Sequence, residues 1–153
     1  MTDASEAGVL TAMNAGLEQL VPRAHQMGVR FVELRPGYVR AELPVDGNTN
    51  HVGTIYAGVI FTLAEVLGGA MHLVTFDVTT HYPIVRGMTI DFVAPGTTTL
   101  SAVATLSEDE IAAIRAQAAT GKAPFVMLAE VTDTAGTVVA RTTGNYQIRP
   151  HGT

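Results

Sequence analysis

The stretch Asn50-His51-Val52-Gly53-Thr54-Ile55-Tyr56-Ala57-Gly58 runs into Val59-Ile60-Phe61-Thr62-Leu63-Ala64-Glu65 and holds the residues best equipped for chemistry. Ala57 and Gly58 are small, so a ligand can approach the backbone closely there. A helix starting at that point has free N–H groups in its first turn, and these favour an oxyanion or a carbonyl oxygen. Glu65 follows Gly58 by seven residues, about 20° short of two full turns, so the two share a helix face. Burial among Leu63, Ala64, Val66 and Leu67 would raise the pKa of Glu65, which suits a general base and equally a neutral structural acid. Along the helix axis, however, Glu65 and Gly58 are ~10.5 Å apart. One chain cannot bring both to one reacting atom, so a site that uses both must draw them from two subunits.

The neighbouring residues carry alternatives. Asn50 is placed to orient a water or a carboxylate, or to bond its own loop backbone. His51 is either a substrate contact or a solvated loop histidine. Tyr56, Ala57, Phe61 and Thr62 flank the helix start and are candidate substrate contacts. His72 lies seven residues past Glu65 on the same face, near a helix end where a cation is favourable. Two residues seven apart cannot chelate one ion, so no metal site is expected. Gly68 and Gly69 suit close packing. Phe61, Met71, Met88 and Phe92 are candidate pocket-lining residues, and Arg86 and Lys122 candidate phosphate contacts.

The elements that must hold these residues can be read from periodicity. Val9, Leu10, Met13, Leu17, Leu20 and Val21 form a helical stripe, predicting a helix over about 7–27. Phe31 to Leu34, the turn Arg35-Pro36-Gly37, and the alternation of Val39, Ala41 and Leu43 predict two strands. Residues 55–76 hold one acid, Glu65, and one histidine, His72, and are long enough for a membrane span at ~20 residues. A carboxylate near the middle costs roughly 2.5–3.5 kcal/mol in a bilayer, and no Lys or Arg cluster flanks the stretch. A buried central helix over about 56–75 is the reading adopted. Alternation returns at Met88, Ile90, Phe92 and Ala94 and again at Leu100, Ala102, Ala104 and Leu106. Ser107-Glu108-Asp109-Glu110 has the spacing of a capping box and opens a short helix over about 107–120. Strands near 125–133 and 137–148 face each other across Thr134-Ala135-Gly136. The expected architecture is α+β: one antiparallel sheet wrapped around a long central helix in a single domain over 1–153.

Asn50, Gly58 and Leu63-Ala64-Glu65 give the chain a resemblance to the acyl-CoA thioesterases of the hotdog fold, in the phenylacetyl-CoA thioesterase group. That group has an Asn, then His-Gly-Gly opening the central helix, then Leu-Ala-Asp or Leu-Ala-Glu seven residues after the second Gly. Tyr56 and Ala57 stand where the group has His and Gly. Either Tyr56 takes over a hydrogen-bonding role, or hydrolysis is weak. The element order resembles a hotdog domain along nearly the whole chain, with helix 107–120 as an insertion. The resemblance implies hydrolysis of an acyl-CoA, with CoA as part of the substrate and no cofactor, in a homodimer or homotetramer. Glu65 would be general base or nucleophile, the Gly58 N–H would polarise the carbonyl, and Asn50 would assist.

Two other classes compete. A hotdog dehydratase pairs a loop His with a helix Glu, and His51 and Glu65 have those types. That group, however, expects Pro-Gly at the helix start and the acid five residues after the Gly. A non-catalytic acyl-CoA binder is the other alternative, because the signature pair is replaced.

Composition narrows the field further. The 153 residues include 9 Lys+Arg against 14 Asp+Glu, a net charge of −5 that leaves no basic stripe for nucleic acid. Hydrophobic residues make up 47% and charged residues 15%, which excludes a disordered chain and suggests that a partner subunit covers part of the surface. There is no Cys, hence no disulfide, thiolate metal site or cysteine nucleophile. The acidic Met1-Thr2-Asp3-Ala4-Ser5-Glu6 does not resemble a secretory leader, and a cytoplasmic location is expected.

Overall fold

Pro22 divides what periodicity reads as one N-terminal helix. In a computed structural model that describes residues 2–153, α1 spans Thr2–Leu20 and α2 spans Pro22–Gln26. Proline has no N–H to give the preceding turn, and its ring clashes with the carbonyl four residues back. Val21 accordingly leaves helical geometry at φ −134°, ψ 66°, and Pro22 restarts a helix at the position it tolerates best. The predicted helix over 7–27 is thus corrected to two. It also starts earlier, because the apolar stripe marks only the face that is buried.

Strands β1 (Arg30–Arg35) and β2 (Tyr38–Leu43) form a hairpin across Pro36-Gly37. Gly37 has φ +76°, and a Cβ there would lie 2.7 Å from the Leu106 carbonyl oxygen, so the turn needs glycine on both counts. Val39, Ala41 and Leu43 are fully buried. Helix α3 (Ala57–Thr75) is followed by β3 (His81–Phe92) and β4 (Leu100–Thr105). Then come α4 (Glu108–Ala118), β5 (Ala123–Thr132) and β6 (Val138–Pro150). The capping box at α4 is formed on both sides: Ser107 Oγ accepts from the Glu110 N–H, and the Glu110 carboxylate from the Ser107 N–H.

All six strands join one antiparallel sheet in the order β1-β2-β4-β5-β6-β3. Its inner face wraps α3, the expected architecture. Leu63, Ala64, Leu67, Ala70 and Met71 of α3 meet Ala102, Val131 and Ile148 of the sheet within one apolar core. Among the described residues α3 alone is long and apolar enough to cross a membrane, and its packing is that of a core helix.

Strand β3 starts seven residues before the alternation at Met88. His81-Tyr82-Pro83-Ile84-Val85 lacks a polar/apolar rhythm because β3 is an edge strand reaching past the cover of α3. Pro83 fits there, since an edge strand has a side free of ladder bonds. For the same reason Phe92 is 51% exposed although it lies on the α3 side of the sheet. The opposite edge, β1, is closed by α1. Asn14 accepts from the Phe31 N–H at 2.8 Å and donates to the Phe31 carbonyl at 3.0 Å, as a paired strand would.

Candidate functional site

The helix start is held by backbone bonds rather than by a capping side chain. Ile55 N–H donates to Gly96 O at 2.8 Å and Tyr56 N–H to Asn48 O at 2.9 Å. Asn48 in turn donates to the carbonyls of Met27 and Pro44. Tyr56 is the extended residue before α3, and no side chain caps the helix. The N–H groups of Val59 and Ile60 both reach Tyr56 O. Those of Ala57 and Gly58 have no acceptor among the described residues. Beside them opens a cleft of about 340 Å³, walled by Asn50, Thr54 and Ile55, by Ala57 and Ile60, and by Phe92 to Gly96 at the end of β3. Two N–H donors without acceptors on this first turn, that of Ala57 at a mostly apolar cleft and that of Gly58 next to it, can polarise a carbonyl.

The predicted residues are distributed unevenly about this cleft. Ala57 lines it, and Gly58 follows on the same first turn. Asn50 lines the rim, but its carboxamide is committed to its own loop. Its Oδ1 accepts from the N–H groups of Val52 and Thr54, and its Nδ2 donates to Thr54 Oγ1 at 2.9 Å. His51 is exposed in that turn and is not part of the cleft wall. Tyr56 is 58% exposed, and its ring folds over Gly58: a Cβ on Gly58 would lie 2.8 Å from Tyr56 Cε1. Thr62 turns its hydroxyl back to the Gly58 carbonyl at 2.9 Å. Phe61 faces outward from α3, away from the cleft wall.

Glu65 lies two turns on. It is half-buried, and no group among the described residues hydrogen-bonds its carboxylate. Burial holds its pKa above the ordinary carboxylate range. α3 is continuous from Ala57 to Thr75, so the ~10.5 Å offset from Gly58 stands. The helix face bearing Glu65 also bears Phe61, Gly69 and Leu73, none of them fully buried.

His72 does not share that exposure. It is 1% exposed, its Nε2–H donates to His81 O at 3.1 Å, and its Nδ1 has no partner. Burial is the main cause holding its pKa below the ordinary imidazole value. Of Gly68 and Gly69, only Gly68 is a close-packing site; Gly69 has open space where a side chain would be. Met71 is fully buried in the core and lines no pocket, whereas Phe92 does line the cleft. Arg86 and Lys122 are exposed. No group of three or more His, Cys, Asp or Glu suited to a metal occurs among the described residues.

Reasoning from the helix motif missed the far wall of the cleft. Pro95-Gly96 reads as a strand breaker; the signal for more was that glycine, four residues past the end of β3, whose carbonyl accepts from the Ile55 N–H.

The family model described as "Domain of unknown function (DUF4442)" matches residues 11–148. A Pseudomonas aeruginosa protein of unknown function, described as a probable thioesterase, is 39% identical. The match covers 92% of this chain and 96% of that one, with a TM-score of 0.85. A second Pseudomonas aeruginosa thioesterase shares the fold at 18% identity, over 92% and 94% of the two chains, with a TM-score of 0.74. A Haemophilus influenzae thioesterase shares it at 14% identity, over 94% of each chain, with a TM-score of 0.74. No curated protein matches the chain.

Proposed function

The chain belongs to the DUF4442 family, among the hotdog-fold thioesterases, and on that premise we propose that it hydrolyses acyl-CoA thioesters at a site shared by two copies of itself. One observation carries the reading: two N–H groups without acceptors open α3, and an unpartnered, half-buried carboxylate lies two turns along the same helix. In the reaction the thioester carbonyl rests on the Ala57 and Gly58 N–H groups of one chain. Glu65 of the other chain takes a proton from water, and the water oxygen bonds to the carbonyl carbon. The C–S bond then breaks, the acid is released, and Glu65 returns the proton to the departing CoA sulfur. Direct attack by Glu65 followed by hydrolysis of the acyl-enzyme is the variant of this scheme. A carboxyl held above its ordinary pKa suits proton transfer near neutral pH. CoA enters as part of the substrate, and the scheme takes no cofactor. Asn50 acts by shaping the rim, and Tyr56 lies over the carbonyl position.

The open edge supports the shared site. β3 offers twelve residues of unpaired edge, with Val85 and Phe92 exposed, next to the uncovered Phe61–Leu73 face of α3. Antiparallel pairing of β3 with its copy brings the two α3 helices together in opposite directions. That arrangement sets the Glu65 of each against the helix start of the other. Val126 and Leu128, exposed on the outer sheet face, are where two such dimers would meet as a tetramer. A cytoplasmic location fits a substrate of this kind.

A panel of acyl-CoAs with a thiol-reactive dye tests the proposal, and a chain without Cys adds no background. Steady CoA release is the expected result. The Tyr56 ring over Gly58 favours one rival, an acyl-CoA binder without turnover. Saturable binding with no thiol release from any thioester would establish that rival.

A further inference from the structure

Tyr146 lies outside the cleft, yet it is the sheet residue that meets α3 at the turn carrying Glu65. It is 3% exposed. A Cβ on Gly68 would lie 1.9 Å from its ring, and one on Gly144 would lie 2.3 Å from it. Gly68 belongs to α3 and Gly144 to β6, so the ring fills a slot that two elements create by each lacking a side chain. Phe125 stacks on the ring with centroids 5.5 Å apart. The hydroxyl donates to the main-chain carbonyl of Glu65 at 3.2 Å. A carbonyl inside a helix already serves the i→i+4 ladder, so the phenol is a second donor rather than the repair of an orphan. A buried tyrosine needs a partner for its hydroxyl. This one takes it from the turn whose side chain is itself unpartnered.

We propose that Tyr146 is a positioning residue for Glu65: its ring sets how closely α3 lies on the sheet, and its hydroxyl fixes the helix rotation at that turn. The inference rests on Glu65 as the base of the hydrolysis. Each residue of a helix advances 100°, so a modest rotation carries Glu65 out into water or deeper under the sheet. Either movement changes the solvation that makes it a useful base. The phenol also senses the carboxylate. Burial first, and the Glu65 charge second, hold the Tyr146 phenol well above its ordinary pKa.

Tyr146→Phe keeps the ring and removes the hydroxyl. The expected result is a kcat about three- to tenfold lower with KM unchanged, the loss of one hydrogen bond. The Glu65 carboxyl midpoint, followed by NMR with 13C-labelled glutamate, should shift from its parent value. Gly68→Ala keeps the hydroxyl but displaces the ring that carries it, and should shift the same midpoint. A lower thermal midpoint alone, with kcat and the Glu65 midpoint as in the parent, would make Tyr146 a packing residue and overturn the proposal. Glu65→Gln separates this proposal from the reading beneath it. Full turnover in Glu65→Gln removes the base assignment and the proposal that rests on it, whereas lost turnover in Glu65→Gln beside a parental kcat and Glu65 midpoint in Tyr146→Phe overturns the positioning role alone.

Discussion

The two edges of the sheet meet the same physical difficulty and answer it in opposite ways. An edge strand exposes a row of unpaired N–H and C=O groups that any other strand can extend. β1 is short, six residues, with a register shift between Phe31 and Glu33. Arg30, Glu33 and Arg35 charge it through ion pairs with one another and with Glu42 and Arg40. α1 lies against it, and the Asn14 carboxamide occupies the Phe31 main chain. β3 is twice as long, carries no such plug, and leaves Val85 and Phe92 in the open. The pairing of β3 with its copy proposed above would leave the closed edge as it is and use the bare one. The candidate site lies at its end.

The largest effect expected from that use is on hydrolysis. Glu65→Gln should lower turnover roughly 10²- to 10⁴-fold with folding intact, the usual contribution of a positioned base. Gly58→Val should also cripple the enzyme, because the new side chain must displace the Tyr56 ring from the helix start. Mixing the two inactive chains after dissociation should restore one good site per hybrid. Hybrids verified by mass spectrometry that stay inactive would disconnect the open edge from the chemistry.

A charge on each edge tests the contrast directly. Val85→Lys on β3 should give a monomer in sedimentation and cost roughly tenfold or more in activity, as the shared site comes apart. A variant that remains a fully active dimer would show that β3 is not the joining edge. Asn14→Ala on the closed edge should leave the dimer and its kinetics alone while lowering stability by about 1–2 kcal/mol, for two hydrogen bonds lost at a partly buried strand. Unchanged denaturant midpoints would mean that α1 holds β1 by packing alone.

The smallest effect concerns the loop that leads into β3. His72, neutral and buried, donates to the first residue of that strand. Its folded pKa is depressed, so the unfolded chain takes the proton first as pH falls. Stability should be at its full value above the ordinary imidazole pKa of 6.5 and decline below it, toward the folded value. His72→Gln, which keeps the donor to His81 O, should flatten that decline in urea titrations. An equal slope in both proteins would place the pH sensitivity elsewhere.

Local patterns were legible in the sequence, and distant coincidences were not. Ser107 and Glu110 announce their helix because both halves of the box lie within four residues. Val39, Ala41 and Leu43 announce a buried face because a strand repeats every two residues. Pro22 is a local signal too, but it is masked by an apolar stripe that continues across it. The start of β3 was hidden because an edge strand beyond the core has no reason to alternate. Asn50 and Glu65 stood out by residue type, but only three dimensions show that one amide is spent on its own loop while the carboxylate is left free. The Tyr146 slot depends on Gly68 of α3 and Gly144 of β6 meeting where the helix packs on the sheet, and no window of sequence spans that distance.

The Asn14 plug has a consequence for how many copies can assemble. A sheet with one free edge is completed by a single partner, and the pair related by a two-fold axis has nothing left to add. Were β1 free as well, every added copy would present a fresh edge, and growth would continue as a filament. Helix α1, packed on β1 and bonded to it through the Asn14 carboxamide, would thus act as a terminator of polymerisation. Deleting α1 should turn a finite assembly into an open-ended one, read as concentration-dependent fibre growth by light scattering.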